Sequence, residues 1–346
     1  MAKKANQHYV PKFYFRFFSK DGKRICVLNR KTGGTIEHAS IKGQASKNYF
    51  YGEESIENAL SEIEGHFSTV LQQLRKSASF INFNNQNHIL FLQNLMLQKS
   101  RTISARQKSK PAMDRLMQLH LEVVINNDKD ISDQEKEDLR NSLPYISADP
   151  SQTQLVEMKT AIECAEYLID LLPIILINKT NRPFIFSDAP VVFYNQYQKN
   201  ITLRGVLGAQ TPGLIIYYPL DTRVSVMLLD KNKYEIKGLK NSVVNLRDFS
   251  DVLSLNKLQI HNAANAIFFS DYKYSEYVFE LWKQEHKKLV EHKSKVNEAP
   301  GVDENQESIG DILHIYEEQL PYIPKLSFLK CSEITEEEYN FSRRLS

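Results

Sequence analysis

Seven side chains of this sequence are of types that suit chemistry: His8, Arg16, Glu64, Arg101, Arg106, Ser187 and Asp188. His8 and Arg16 sit in an aromatic opening, His8-Tyr-Val-Pro-Lys-Phe-Tyr-Phe-Arg-Phe-Phe18. Ser187 and Asp188 sit in Phe184-Ile-Phe-Ser-Asp-Ala-Pro-Val-Val192. An imidazole can act as acid or base near neutral pH, and a guanidinium can grip a phosphate or carboxylate through parallel hydrogen bonds. A pocket of these groups would use His8, Asp188 and Glu64 as catalytic residues and Arg16, Arg101, Arg106 and Ser187 to hold substrate. The same residues also fit a structural role, with an Asx-type turn at Asp188 and a buried His8–Asp188 pair pinning the N-terminus. A second chemistry is metal-assisted hydrolysis. Asp188 and Glu235-Ile-Lys237 follow a logic in which two carboxylates hold Mg²⁺ and a lysine helps to activate water. The sequence has no glycine-rich phosphate or dinucleotide loop, no Gly-x-Ser-x-Gly elbow and no His-Glu-x-x-His pair.

These residues need elements to position them. The opening stretch carries six aromatic rings, although chain termini are usually frayed and polar. Covering such rings contributes roughly 1.5–3 kcal/mol each, so the terminus is expected to dock into the core. His8 and Arg16 would be carried in with the rings and would need a partner, for which Asp188 is the candidate. Asp188 ends an apolar run and precedes x-Pro, which predicts an exposed place at a sheet edge.

Short strands are predicted at 24–29 and 35–39 around a Gly33-Gly34 turn, with Tyr49-Phe-Tyr51 also extended. Apolar spacing predicts helices from Ser55 to about Leu74, over 85–107 and over 112–126. Ser132-Asp-Gln-Glu135 and Ser151-Gln-Thr-Gln154 resemble capping boxes, the second opening a helix that Pro173 stops. Short β-rich runs follow at 174–177, 184–186, 191–194, 214–218 and 224–229. Helices return at 247–265 and 276–293, separated by a strand at 267–270. Residues 294–308 show no apolar periodicity and are expected to form a mobile linker, with the tail from Ile309 folding back. The expected class is α+β: a helical block at 55–172 packed on a mixed, mainly antiparallel sheet from 174–230, with the N-terminal segment threaded between them. Residues 1–271 would form the main domain, and 272–346 a C-terminal helix, linker and tail.

The chain has 346 residues, 42% hydrophobic and 25% charged, with a net charge of +2, which describes an ordinary soluble globular protein. Charge is uneven: residues 1–50 hold eleven Lys and Arg against Asp21 and Glu37, so an anionic partner such as nucleic acid is one reading and a solvated basic face the other. Three distant cysteines, Cys26, Cys164 and Cys331, supply neither a disulfide framework nor zinc-ligand spacing. Nothing in the sequence has the length of a membrane span or the form of a signal peptide, so a cytoplasmic location is expected. His261, His286, His292 and His314 are expected in solvent, as is the Lys-rich face from Lys283 to Lys295 with its interspersed Glu280, Glu285 and Glu291.

The opening His-Tyr-Val-Pro-x-Phe-Tyr-x-Arg-x-Phe, the strand end Phe-x-Ser-Asp-x-Pro-Val and the Gln-x-x-Arg at Gln98 and Arg101 together resemble an uncharacterised bacterial family of unknown function. The resemblance runs from about His8 to Asp271 and includes Tyr218-Pro-Leu220 and the stretch around Asn256 and Ala263. Phe15 stands where the family usually has Leu, and Ala189 where it often has Asn. Some members of that family are linked to defence against phage. The resemblance implies that setting without a settled activity. Two functions follow as expectations: an effector acting on nucleic acid or nucleotides through the His8/Arg101/Asp188 pocket, or a non-enzymatic sensor that binds a phage or host protein and uses these residues structurally.

Overall fold

The computed structural model describes residues 6–81, 83–291, 293–302, 307–334 and Arg344. In chain order, β1 (Asn6–His8) leads into α1 (Lys12–Phe18), followed by β2 (Arg24–Asn29), β3 (Thr35–Ser40) and β4 (Ser46–Asn48). A helical block comes next: α2 (Glu54–Ser77), α3 (Asn85–Ser100), α4 (Ile103–Asn127), α5 (Asp133–Ser142) and α6 (Pro150–Glu163). Then follow β5 (Leu172–Asn178), β6 (Phe186–Ser187), β7 (Val192–Tyr194), β8 (Ile215–Pro219), β9 (Val224–Leu229), β10 (Tyr234–Ile236) and β11 (Val243–Leu246). The chain continues through α7 (Phe249–Asn262), β12 (Ala266–Phe269), α8 (Ser275–Glu285), β13 (Ser294–Val302), β14 (Ser308–Glu317) and β15 (Leu329–Cys331).

The strands form two principal sheets, in the orders β11-β5-β9-β8-β7 and β3-β2-β12-β6. Only the β11–β5 pairing within them is parallel, so the α+β class with mixed, mainly antiparallel sheets holds. The β-rich runs that read as one sheet are divided between two. β6 leaves its sequence neighbours to pair with β12, which in turn pairs with β2 from the basic N-terminal region.

The opening stretch docks as expected, and it does so as a short helix. Tyr14, Phe15 and Phe18 are buried and gather around Phe186, with ring centroids 5.1, 5.2 and 4.4 Å away. Tyr14 also stacks on Tyr218 at 5.0 Å and donates its hydroxyl to the carbonyl of Pro219. α1 thus joins the two sheets: Phe186 lies on β6 and Tyr218 on β8. One large core joins α1, α2, α3 and the inner faces of both sheets. A second core lies on the other face of the five-stranded sheet, where Leu320, Leu326, Phe328 and Leu329 of the tail are buried.

Several boundaries differ from the sequence expectation. The helix read over 85–107 breaks at Arg101, because Thr102 caps a new helix by accepting from the Ala105 amide at 3.1 Å. That helix then runs through Pro111 to Asn127, so the boundary expected between 107 and 112 falls at Arg101 instead. Tyr49–Gly52 is a turn instead of an extended piece, with Tyr49 at a φ of 53°. α6 is capped by Asp149 with Pro150 in its first turn, whereas Gln154 is buried and serves elsewhere. The Ser132–Glu135 capping box is present.

The largest difference lies at 294–308. Residues 294–302 form a strand paired antiparallel with 308–317, so a hairpin stands where a mobile linker was expected. Its alternation is weak because most of its side chains face solvent, and this hides it from any reading of apolar periodicity. α8 stops at Glu285, short of the expected 293. Its Glu285 is buried, with hydrogen bonds from Lys257, His261 and Lys288 that overcome the effect of burial and pull its pKa down to about 2. His261, expected in solvent, is 2% exposed and stacks on Tyr322. His286 is half-buried and stacks on Trp282, His314 is exposed, and His292 lies outside the described residues.

Candidate functional site

Arg101 is 2% exposed at the break between α3 and α4. Its Nη1 reaches Glu64 of α2 at 2.7 Å, its Nη2 the carbonyl of His8 at 2.6 Å, and its Nε the Tyr51 hydroxyl at 3.3 Å. The Tyr51 hydroxyl donates in turn to the Arg101 carbonyl at 2.8 Å. Burial disfavours this guanidinium, but Tyr51 and Glu64 outweigh it and hold its pKa above the ordinary value. Gln98, one turn earlier, donates to the carbonyl of Tyr9 at 3.0 Å. The Gln98-x-x-Arg101 pair therefore clamps the chain's opening.

Arg106 packs 3.7 Å over the Phe50 ring, donates to the Phe50 carbonyl and shares the Oε1 of Gln154 through Nε and Nη2. Gln154 uses its Nε2 on the carbonyls of Ser100 and Thr102, at the end of α3. Each group in this network has internal partners.

Asp188 follows β6, the edge strand of its sheet, as the Pro-containing motif suggests. It is 1% exposed, however, because α7 covers that edge. Asn256, Gln259 and Asn262 lie one turn apart on α7 and pair with the backbone from Pro183 to Val191. They stand in for a missing neighbouring strand, which the accounting of buried backbone groups demands. Ser187 shares the Gln259 carboxamide oxygen. The Asp188 carboxylate accepts from the amides of Ala264 at 2.8 Å and Asn265 at 2.9 Å. Burial pushes its pKa up to about 6, partly offset by those backbone bonds.

His8 forms no hydrogen bond with Asp188. Its Nε2 donates to the carbonyl of Lys42 at 3.1 Å, which leaves Nδ1 as an acceptor with no partner among the described residues. Burial, then the nearby Lys12, lowers its pKa to about 4. His8, Arg16 and Glu64 do come together, with Lys12 and Glu57, around a shallow cleft of about 310 Å³ between α1 and α2. The seven residues are thus divided. Three line this cleft, while Arg101, Arg106, Ser187 and Asp188 are committed to internal bonds.

The suggested metal pair is not assembled. Glu235 is 67% exposed on β10 beside Lys330, whereas both oxygens of the buried Asp188 are bonded to backbone amides. Among the described residues no three His, Cys, Asp or Glu side chains cluster as metal ligands would. No helix among them is long and apolar enough to cross a membrane.

A larger cavity, about 510 Å³, lies between α3, α4 and α6 on one side and β7 with the Ala189–Val191 segment on the other. Gln98, Ala189 and Asn262 line it, so it adjoins both the Asp188 segment and the Arg101 clamp. Met96, Met113, Val191 and Phe193 make an apolar wall. Its charged residues are Lys99, Lys108, Glu157 and Glu317. The Nζ atoms of Lys99 and Lys108 approach the two oxygens of Glu317, on β14, at 2.7 and 2.6 Å. The two lysines hold the Glu317 carboxyl well below the usual range despite its burial. Burial raises the pKa of Glu157, whose Oε2 has no hydrogen-bond partner among the described residues. Ser104, 2% exposed, also lines the cavity with an unpartnered hydroxyl.

Sequence reasoning missed these four charged residues. Lys99 carried one signal, being a charge inside an otherwise apolar helical run. Glu157 and Lys108 look like ordinary helix-surface charges, and Glu317 lies in a segment read as a tail.

The chain belongs to DUF4238, a family of proteins of unknown function, whose model matches residues 6–273. No curated protein and no solved structure matches it.

Proposed function

We propose that the protein binds a nucleotide, or a nucleotide within a nucleic acid, in the 510 Å³ cavity between α3, α4, α6 and β7, as an effector in defence against phage. One observation carries this reading. Three stretches that mark the family resemblance, around Gln98–Arg101, Ser187–Val191 and Asn256–Ala263, meet at one cavity that also holds two lysines and an apolar wall. Its volume falls within the roughly 300–1,000 Å³ of small-molecule sites. Lysines suit phosphate, and the wall of Met96, Met113, Val191 and Phe193 suits a base or another flat apolar group. The phage-defence setting comes from the motif resemblance.

In this reading Arg101, Arg106 and Asp188, which do not line the cavity, hold the segments around it and do not react, because their hydrogen-bonding capacity is already engaged. The test is calorimetric titration of the purified full chain with nucleotides, single-stranded RNA and single-stranded DNA. Saturable binding of any of them, lost on Lys99→Met, is the expected result. Absence of binding by all of them overturns the proposal.

A second reading, phosphoester hydrolysis, is favoured by Glu157. A half-buried carboxyl with a raised pKa and an unpartnered oxygen beside a cavity is suited to act as general acid. Glu157→Gln would then abolish turnover and leave binding intact. A wild type that binds without turnover removes this second reading.

A further inference from the structure

Within the family-matched region, Lys99 and Lys108 point two ammonium groups at one end of the cavity. The carboxylate that neutralises them comes from outside that region, on the β13–β14 hairpin. Two cations converging on one carboxylate make an anion site, already occupied by a side chain of the same molecule. The cavity also holds a second sign of an absent ligand: the hydroxyl of Ser104, buried and unpartnered, in a structure where buried polar atoms are ordinarily satisfied.

The hairpin that supplies Glu317 is held lightly. Most of its described side chains are exposed, and among them Tyr316 is the large apolar residue that is buried. Its polar attachments to the body, besides Glu317, include the fork of Arg115 onto Glu298 and the Tyr316 hydroxyl, which donates to the Thr202 carbonyl at 3.1 Å, while Lys295 meets Glu318 within the hairpin. Such an element belongs to the low-stability end of a fold and can open without disturbing the core. It packs against the body at Gly205, where an added Cβ would fall 2.8 Å from the Cβ of Tyr316. Glycine there is required by the docked hairpin.

We propose that Lys99 and Lys108 form a binding site for the phosphate or carboxylate group of a small ligand, and that Glu317 fills this site until the ligand displaces it and releases the hairpin. This rests on the reading of the cavity as the ligand site and adds which end takes the anion and what competes with it. The ligand's anionic group replaces one carboxylate with another, so the lysines remain neutralised in both states. The exchange costs only the light attachments of the hairpin.

The test uses the full chain, with adenosine 5′-monophosphate and inorganic phosphate as probes in titration calorimetry. Hydrogen exchange over residues 308–317 is read in parallel. Two variants open the site by different routes: Glu317→Gln removes the competing charge, and Gly205→Ala pushes the hairpin off while leaving all the charges in place. Both are expected to bind the monophosphate at least ten-fold more tightly than wild type, with faster exchange over 308–317. Adding the monophosphate to wild type should also speed that exchange, and Lys108→Met on the Glu317→Gln background should cancel the gain. Equal affinity of wild type and both variants overturns the inference and leaves the nucleotide reading standing. Phosphate binding that tightens in the variants, with the monophosphate no tighter than phosphate, supports the anion site and sinks the nucleotide reading. No binding of either probe by any variant overturns both. Should Glu317→Gln fail to fold, Gly205→Ala carries the decision alone.

Discussion

The Nη2 of Arg101 lies 2.6 Å from the carbonyl oxygen of His8, so a buried guanidinium ninety-three positions along the chain holds the N-terminal strand in place. The same side chain takes Glu64 and Tyr51, and its three nitrogens thereby bind α2, the Tyr49–Gly52 turn and β1 to the α3–α4 break. A planar fork with fixed donors suits this task, which a single ammonium cannot reproduce.

Arg101→Met is therefore expected to destabilise the fold by about 3 kcal/mol, the cost of leaving buried partners without their charge. Arg101→Lys should recover less than half of that loss. Urea unfolding of the three proteins decides it. A lysine variant as stable as wild type would mean that the bonds to Tyr51 and His8 contribute little.

Asp188 occupies the place of a strand-end cap. Asp188→Asn keeps one acceptor for the amides of Ala264 and Asn265 but turns an NH₂ towards the other, a donor facing a donor. The expected loss is about 1–3 kcal/mol at pH 7. In wild type, burial raises this carboxyl's pKa from 3.8 to about 6. Its proton is thus held more tightly in the folded state. Its contribution is fully present below pH 3.8 and declines as pH rises to about 6, then stays flat. The stability difference between variant and wild type, followed from pH 3.5 to 7, should change only within that window.

His8 behaves in the opposite sense. Burial and Lys12 lower its pKa from 6.5 to about 4, so the folded state favours the neutral ring. Stability linked to His8 is fully present above pH 6.5 and is lost as pH falls towards 4. Nitrogen chemical shifts of the ring at pH 6 should show a neutral imidazole with its proton on Nε2, the atom bonded to the Lys42 carbonyl. A charged ring at that pH would contradict the geometry.

What the sequence made legible depended on how local its cause was. The docking of Tyr14, Phe15 and Phe18 followed from their number, and the α2 and α7 helices followed from apolar spacing. The Ser132–Glu135 cap could be read because the whole device spans four residues. The pairing of His8 with Asp188 could not be judged this way, since each has a nearer backbone partner, Lys42 for one and Ala264 with Asn265 for the other. Backbone carbonyls and amides exist at every position, so sequence says nothing about which one a buried side chain will meet. The cavity was illegible for a related reason. Lys99, Lys108, Glu157 and Glu317 become a cluster only once the α3–α4 break and the hairpin are placed. The break rests on Thr102 and on Gln154, a residue some fifty positions away.

The hairpin is the element whose attachment should respond to salt. Its ion pairs with the body are those of Glu317 with Lys99 and Lys108 and of Glu298 with Arg115, while Glu318 pairs with Lys295 of the hairpin itself. The Glu298 and Glu318 pairs are partly exposed, and the screening length falls from about 10 Å at 0.1 M salt to about 3 Å at 1 M. Amide exchange over residues 308–317 is accordingly expected to quicken several-fold between 0.1 and 1 M sodium chloride. Exchange in β8 and β9, whose side chains are buried and mostly apolar, should not change. Glu317 is more enclosed than the other two acids and is screened less, so Arg115→Ala should speed exchange at low salt and blunt the salt response, while Lys108→Met weakens the hairpin at every salt concentration. If exchange in the hairpin were as slow and as indifferent to salt as that of β9, apolar packing would be its main anchor and the ion pairs secondary.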